Sequence, residues 1–174
     1  MCSIHSIIDN VCQILQHEVE QKKLKIELDY SMLDEDVLTC DNIRLNQILL
    51  NIVSNAVKYS YEGGKITISV IQLSTDDESV ILNEFHIKDE GCGMTPDFME
   101  HVFEPFARDK TSSVSADGTG LGLTIAKSLT EILGGEIDVM SELGRGTEFT
   151  VSLPLTIPSL SEIEEEQDII IYDF

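Results

Sequence analysis

Arg44, Gln47, Asn51, Asn55 and Lys58 recur at spacings of 3, 4, 4 and 3 within the segment DNIRLNQILLNIVSNAVKYS. At about 100° per residue of an α-helix they fall on one narrow face, while Leu45, Ile48, Leu49, Ile52, Val53, Ala56 and Val57 cover the other. A merely solvated face favours Glu and Lys, whereas asparagines in mid-helix are poor helix formers. Something must compensate for them. Amide oxygens beside a lysine are groups suited to a hydrated divalent cation and to phosphate oxygens.

Two glycine-rich stretches could complete such a site. Asp89-Glu90-Gly91-Cys92-Gly93-Met94 follows an apolar run that reads as a strand. A buried carboxylate at a strand end only accepts hydrogen bonds, so it suits an exocyclic amino group such as that of adenine and rejects the oxygen guanine presents there. The glycines would let a flat ligand approach the backbone; an ordinary Asp-Gly turn is the competing explanation. Gly118-Thr119-Gly120-Leu121-Gly122-Leu123 leads into a helix expected over 124–133, and glycine amides at a helix start make a phosphate site. No GK[ST] follows and no strand immediately precedes it, so it is neither a P-loop nor a Rossmann fingerprint. Between these stretches, Phe103 and Phe106 are expected to anchor the segment to the core. Arg108 and Lys110 would either cover a phosphate tail or serve as surface charge.

These residues must be held by a scaffold. Ile4, Ile7, Ile8, Val11, Ile14 and Leu15 predict an amphipathic helix reaching about Val19. Leu24, Ile26, Leu28 and Tyr30 alternate as a half-buried strand. The striped helix starts at Asp41, a good N-cap, and stops before the Gly63-Gly64 turn. Strands follow over 65–70 and 80–88, then over 136–141 and 147–153. The stretch 95–117 lacks periodicity and reads as a functional lid. This order predicts an α/β (α+β) two-layer sandwich: a mixed, mostly antiparallel sheet of about five strands with three helices on one face. A doubly wound parallel sheet fits poorly. The domain is expected to span 1–157, with 158–174 an acidic linker marked by Glu162, Glu164, Glu165 and Glu166.

With 174 residues the chain is long enough for one domain with a real core. Its formal net charge of −21 repels nucleic acid and anionic lipid, so neither is an expected partner, and any phosphate-bearing ligand should be small and locally held. Cys2, Cys12, Cys40 and Cys92 show no metal-site or disulfide-framework spacing, which predicts reduced thiols and a cytoplasmic location. No apolar run approaches a membrane span and no signal peptide opens the chain. It reads as a monomeric piece of a longer protein.

Taken together, the motifs resemble those of sensor histidine kinases from about Asp9 to Leu155. DNIRLNQILLNIVSNAVKYS looks like the asparagine box, DEGCGM and GTGLGL like the two glycine boxes, FEPFAR like the phenylalanine box, and GRGTEFTVSLPL like the closing strand. The resemblance implies the Bergerat ATP-binding fold of the GHKL superfamily. It implies Asn55 as the Mg²⁺ ligand with Asn51 beside it, Lys58 on phosphate and Tyr59 packed on adenine. It further implies Asp89 on the adenine amino group, Gly91, Gly93 and Met94 at the pocket floor, and Gly118, Thr119, Gly120, Leu121, Gly122 and Leu123 around the phosphates. Arg108 would cover them and Thr147 would reach adenine through water.

The resemblance also implies a phosphoacceptor histidine on a separate dimerising hairpin, and none of His5, His17, His86 and His101 has the acceptor's sequence context. The tail resembles the stretch before a receiver domain in hybrid kinases. The expected function is therefore Mg·ATP binding and γ-phosphoryl donation to a histidine elsewhere. Two alternatives stand beside it: a self-contained ATPase, against which counts the lack of a Glu in the asparagine box, and a docking module without nucleotide.

Overall fold

The computed structural model describes residues 1–107, 119–159 and 162. In chain order the elements are β1 (Cys2–Ser3), α1 (Ile4–Ile14), α2 (Gln16–Gln21), β2 (Lys25–Met32), β3 (Val37–Leu38), α3 (Asn42–Tyr59), β4 (Lys65–Ser74), β5 (Val80–Asp89), α4 (Pro96–Met99), α5 (Gly122–Ile132), β6 (Glu136–Glu142) and β7 (Gly146–Thr156).

The striped helix is α3, and its apolar side decides where it lies. Leu45, Ile48, Leu49, Ile52, Val53, Ala56 and Val57 are all buried. Full burial of a large apolar side chain contributes about 1.5–3 kcal/mol, and a mid-helix Asn costs less than about 0.7 kcal/mol against Ala, so packing overrides the two asparagines easily. Asp41 caps the helix, its carboxylate accepting the Arg44 N–H at 3.0 Å.

The principal sheet has the order β2-β4-β5-β7-β6; β2 runs parallel to β4 and every other pairing is antiparallel. Period-two alternation gives it a dry face and a wet one. Ile66, Ile68 and Val70 of β4, Phe85 and Ile87 of β5, and Phe149, Val151 and Leu153 of β7 are buried in one core with α1 and α3. Helix α3 lies between α1 and α5, and α5 reaches β6 and β7. The other face carries Thr67, Ser69, Glu84, His86, Glu148 and Thr150. This is the expected two-layer sandwich.

Three expectations need correction. Strand β2 is an edge strand, and Leu28 remains 40% exposed, so its alternation marks a weaker burial than that of β4. Cys2 and Cys40 are joined as a disulfide rather than left as thiols, their Cα atoms 6.2 Å apart; Cys12 and Cys92 are outside any disulfide. The cause is long-range: β1 pairs with β3, which brings two cysteines 38 residues apart to one place. Finally, the unperiodic stretch after residue 94 begins with a short helix, α4, capped by Thr95. Among the described residues no helix is long and apolar enough to cross a membrane. Apart from Glu162, the tail from residue 160 onward lies outside the described residues.

Candidate functional site

Burial changes along the stripe of α3. Arg44 and Gln47 are exposed, whereas Asn51, Asn55 and Lys58 are half-buried. Arg44 forms an ion pair with Asp41 at 3.0 Å, closing its own helix turn. The side-chain amides of Asn51 and Asn55 make no hydrogen bond to another described residue, although a half-buried amide normally finds a protein partner. Lys58 holds its ammonium 5.2 Å from the centre of the Tyr59 ring.

The end of β5 meets the end of α3. Ser60 forms an isolated bridge with Gly91, and the Cys92 N–H donates to the Tyr59 carbonyl at 3.2 Å. Only glycine allows this approach: a Cβ at Gly91 would run into that same Tyr59 carbonyl. Gly93 adopts φ +64°, and a side chain there would strike the Glu142 carbonyl. Asp89, in register with Thr147 of β7, is 4% exposed and accepts the Gly91 N–H at 2.9 Å. Burial pushes its carboxyl up to about 6, against the opposing pull of the Gly91 and Thr147 N–H groups. Such a group keeps its charge at neutral pH at a cost, and a ligand donor would relieve that cost.

Helix α5 packs against α3. Its N-cap is Leu121, which offers no side-chain acceptor, and its first turn contains no acidic residue. The first amides of a helix have no intrahelical partner, so this start is open to an anion. Its first residue sits against the stripe: a Cβ added at Gly122 would lie 3.2 Å from Asn51 Oδ1. Leu123 and Met94 pack on the core's margin. Thr124 ties the helix start to the turn at Phe103 by donating to the Phe103 carbonyl at 3.0 Å. Gly120, with φ +70°, packs against Phe106, and Thr119 is exposed. A second concavity of about 420 Å³, between Phe103, Pro105, Thr124 and Lys127, contains none of the stripe residues.

The structure thus brings together Asn51, Gly122, Tyr59, Gly91 and Asp89. Arg108, Lys110 and Gly118 lie outside the described residues. Phe103 anchors as expected, packing edge-on against Phe149 with ring centres 6.3 Å apart. Phe106 does not: it is 70% exposed at φ +63°, because its N–H is committed to the Gly120 carbonyl and the backbone turns it outward. Sequence reasoning also missed Ser141. Its hydroxyl accepts the Met94 N–H at 2.9 Å, donates to the Gly146 carbonyl at 2.9 Å and lies 2.9 Å from the Thr147 hydroxyl. A polar residue at an inward position of β6 was the available signal. Among the described residues no group of His, Cys, Asp and Glu could hold a metal. The asparagine amides are oxygen donors of the kind a hydrated divalent cation accepts.

A family model for histidine kinase-, DNA gyrase B- and HSP90-like ATPases matches residues 40–157. The chain belongs to this family. The autoinducer 2 sensor kinase/phosphatase LuxQ of Vibrio parahaemolyticus is 40% identical over 139 residues, covering 78% of this chain and 16% of LuxQ. Hybrid signal transduction histidine kinase B of Dictyostelium discoideum is 34% identical over 158 residues, covering 90% of this chain and 8% of its own length. Full-length ShkA, crystallised in complex with AMPPNP, superposes with a TM-score of 0.73 at 31% identity over 90% of this chain and 31% of its own. The chain spans less than a third of each of these proteins. It is an ATPase domain of the histidine-kinase type, and its mixed five-stranded sheet with helices on one side is the fold it shares with ShkA.

Proposed function

We propose that this ATPase domain binds Mg·ATP in the cleft between α3, the end of β5 and the start of α5, and donates the γ-phosphoryl group to a histidine on a separate helical dimerisation domain. One observation supports the reading: Asn51, half-buried and with no side-chain hydrogen bond to another described residue, stands beside a helix start that no side chain caps, and Asn55 follows one turn later on the same face. Asp89 takes the adenine amino group, with Gly91, Gly93 and Met94 beneath the base, Tyr59 against it and Thr147 adjoining through Asp89. The α5 amides, with Gly118, Thr119, Gly120, Leu121, Gly122 and Leu123, surround the phosphates, joined by Lys58 and Arg108. Asn55, with Asn51 next to it, holds Mg²⁺; when bound, the ion neutralises phosphate charge.

Catalysis on this reading is positioning and charge neutralisation, as phosphoryl transfer requires. The acceptor comes from outside the fragment. His5 is bonded to Asp36 at 2.7 Å, and His86 sits 3.3 Å from both Glu84 and Glu148 on the wet face of the sheet, away from the cleft. The relative named a hybrid kinase supports a receiver domain as the next partner in the relay. We assign the domain to 1–157, the tail beyond it to a linker, and the fragment to a monomer working in the cytoplasm.

Calorimetric titration with ATP, with and without Mg²⁺, tests binding. Incubation with γ-labelled ATP and the histidine hairpin of the parent protein tests transfer. Expected are Mg²⁺-dependent binding and label that moves to the hairpin. Steady release of free phosphate without the hairpin would point to a self-contained ATPase, and absence of binding would leave a docking module.

A further inference from the structure

A helix leaves its last four carbonyls without partners inside itself. At the end of α3 the Ala56 carbonyl accepts the Ser60 N–H at 3.0 Å and its hydroxyl at 2.7 Å, and the Tyr59 carbonyl accepts the Cys92 N–H at 3.2 Å. The carbonyls of Val57, Lys58 and Ser60 all accept from one ammonium, that of Lys22, which lies 3.0 Å from Val57 O and 3.1 Å from Ser60 O. A lysine has three N–H donors, and all three are used here. The charge also stands at the negative end of the helix dipole. Lys22 is itself held in place, since its carbonyl accepts the Gly63 N–H at 2.9 Å and the Lys25 N–H donates to Gly64 at 2.9 Å. Burial lowers its pKa from the ordinary value, and the Cys92 sulfur opposes that shift.

We propose that Lys22 is a positioning residue of the nucleotide site. It fixes the last turn of α3 and through it the places of Lys58, Tyr59, Gly91 and Cys92, an inference that rests on the nucleotide-binding reading above. Lys22 touches no ligand; it acts through carbonyl groups. Without its charge the last turn loses three hydrogen bonds, while the seven buried side chains of α3 still hold the rest of the helix. The damage is therefore confined to the pocket wall.

The test compares the parent chain with Lys22→Met and Lys22→Arg. Each is titrated with Mg·ATP well below its melting temperature, and amide hydrogen exchange is followed without ligand. Lys22→Met is expected to raise Kd about tenfold, the loss of one or two charge-assisted contacts. Exchange should quicken at Ser60 and Cys92 and stay unchanged at Ile52 and Val53, and Lys22→Arg should recover most of the affinity. A Met variant that binds within about twofold of the parent overturns the proposal, as does quickened exchange spread along all of α3. A parent chain that fails to bind Mg·ATP overturns the nucleotide reading and this inference together. A binding parent beside an unaffected Met variant overturns this one alone.

Discussion

The two ends of α3 are built in opposite ways. At the N-terminus the cap is local: Asp41 accepts the Arg44 N–H and also pairs with the Arg44 guanidinium, both at 3.0 Å, on an exposed surface. At the C-terminus the carbonyls are met by Lys22, 35 to 38 residues earlier, and by Cys92 on the loop after β5. The self-sufficient end carries the exposed Arg44 and Gln47. The end held from afar carries Asn55, Lys58 and Tyr59 and adjoins Asp89. A helix end tied to two other segments can keep its side chains in one arrangement when a ligand pulls on them; a locally capped end has no such constraint.

The largest effect should come from the distant-held end. Asn55→Ala is expected to lower Mg²⁺-dependent ATP affinity by about a hundredfold or more, with a melting temperature close to the parent's, since the amide contributes no protein contact. Parental affinity in calorimetry would remove α3 from the site. Asp89 should act next. Its carboxyl is raised, so the folded state disfavours the charge: the cost is fully present above about pH 6 and is relieved as the pH falls through 6 toward the ordinary 3.8. Asp89→Asn should therefore stabilise the ligand-free chain at pH 8, by at most about 3 kcal/mol, while weakening ATP about tenfold or more. Thermal melts of parent and variant at pH 8 and pH 5 check the sign: the gap should shrink at pH 5, and a gap that widened there would exclude a raised Asp89. The smallest functional effect belongs to the other end. Asp41→Ala should cost about 1 kcal/mol of stability, seen in denaturant melts, and leave ATP affinity within about twofold. A large loss of affinity would erase the contrast between the ends.

What could be read beforehand follows the same division. The apolar face of α3, its Asp41 cap and the strands at 65 and 80 are local facts of spacing, and the structure agrees with them. Lys22 gave no local sign, because a lysine in a run of charged residues looks like solvated surface until the fold brings carbonyls to it. Cys2 and Cys40 escaped for the same reason, as did Ser141, which meets Gly146 and Thr147 through the pairing of β6 with β7 and Met94 through the loop after β5. Phe106 failed differently. Its spacing from Phe103 promised a shared apolar side, but a left-handed backbone conformation breaks helical periodicity at that residue.

The bare start of α5 has one more consequence. Leu121 cannot cap it, so in the nucleotide reading the phosphate oxygens are the missing cap, and the ligand finishes a helix as well as occupying a site. Binding and local folding then share one free energy: at a ligand concentration of about 100 Kd the chain gains roughly 2.7 kcal/mol of stability. Part of that gain should appear as slower fraying at Gly122 and Leu123. ADP, one phosphate shorter, would leave that cap incomplete, so the helix end would slacken as the phosphoryl group departs, and product release would begin where the substrate had completed the fold.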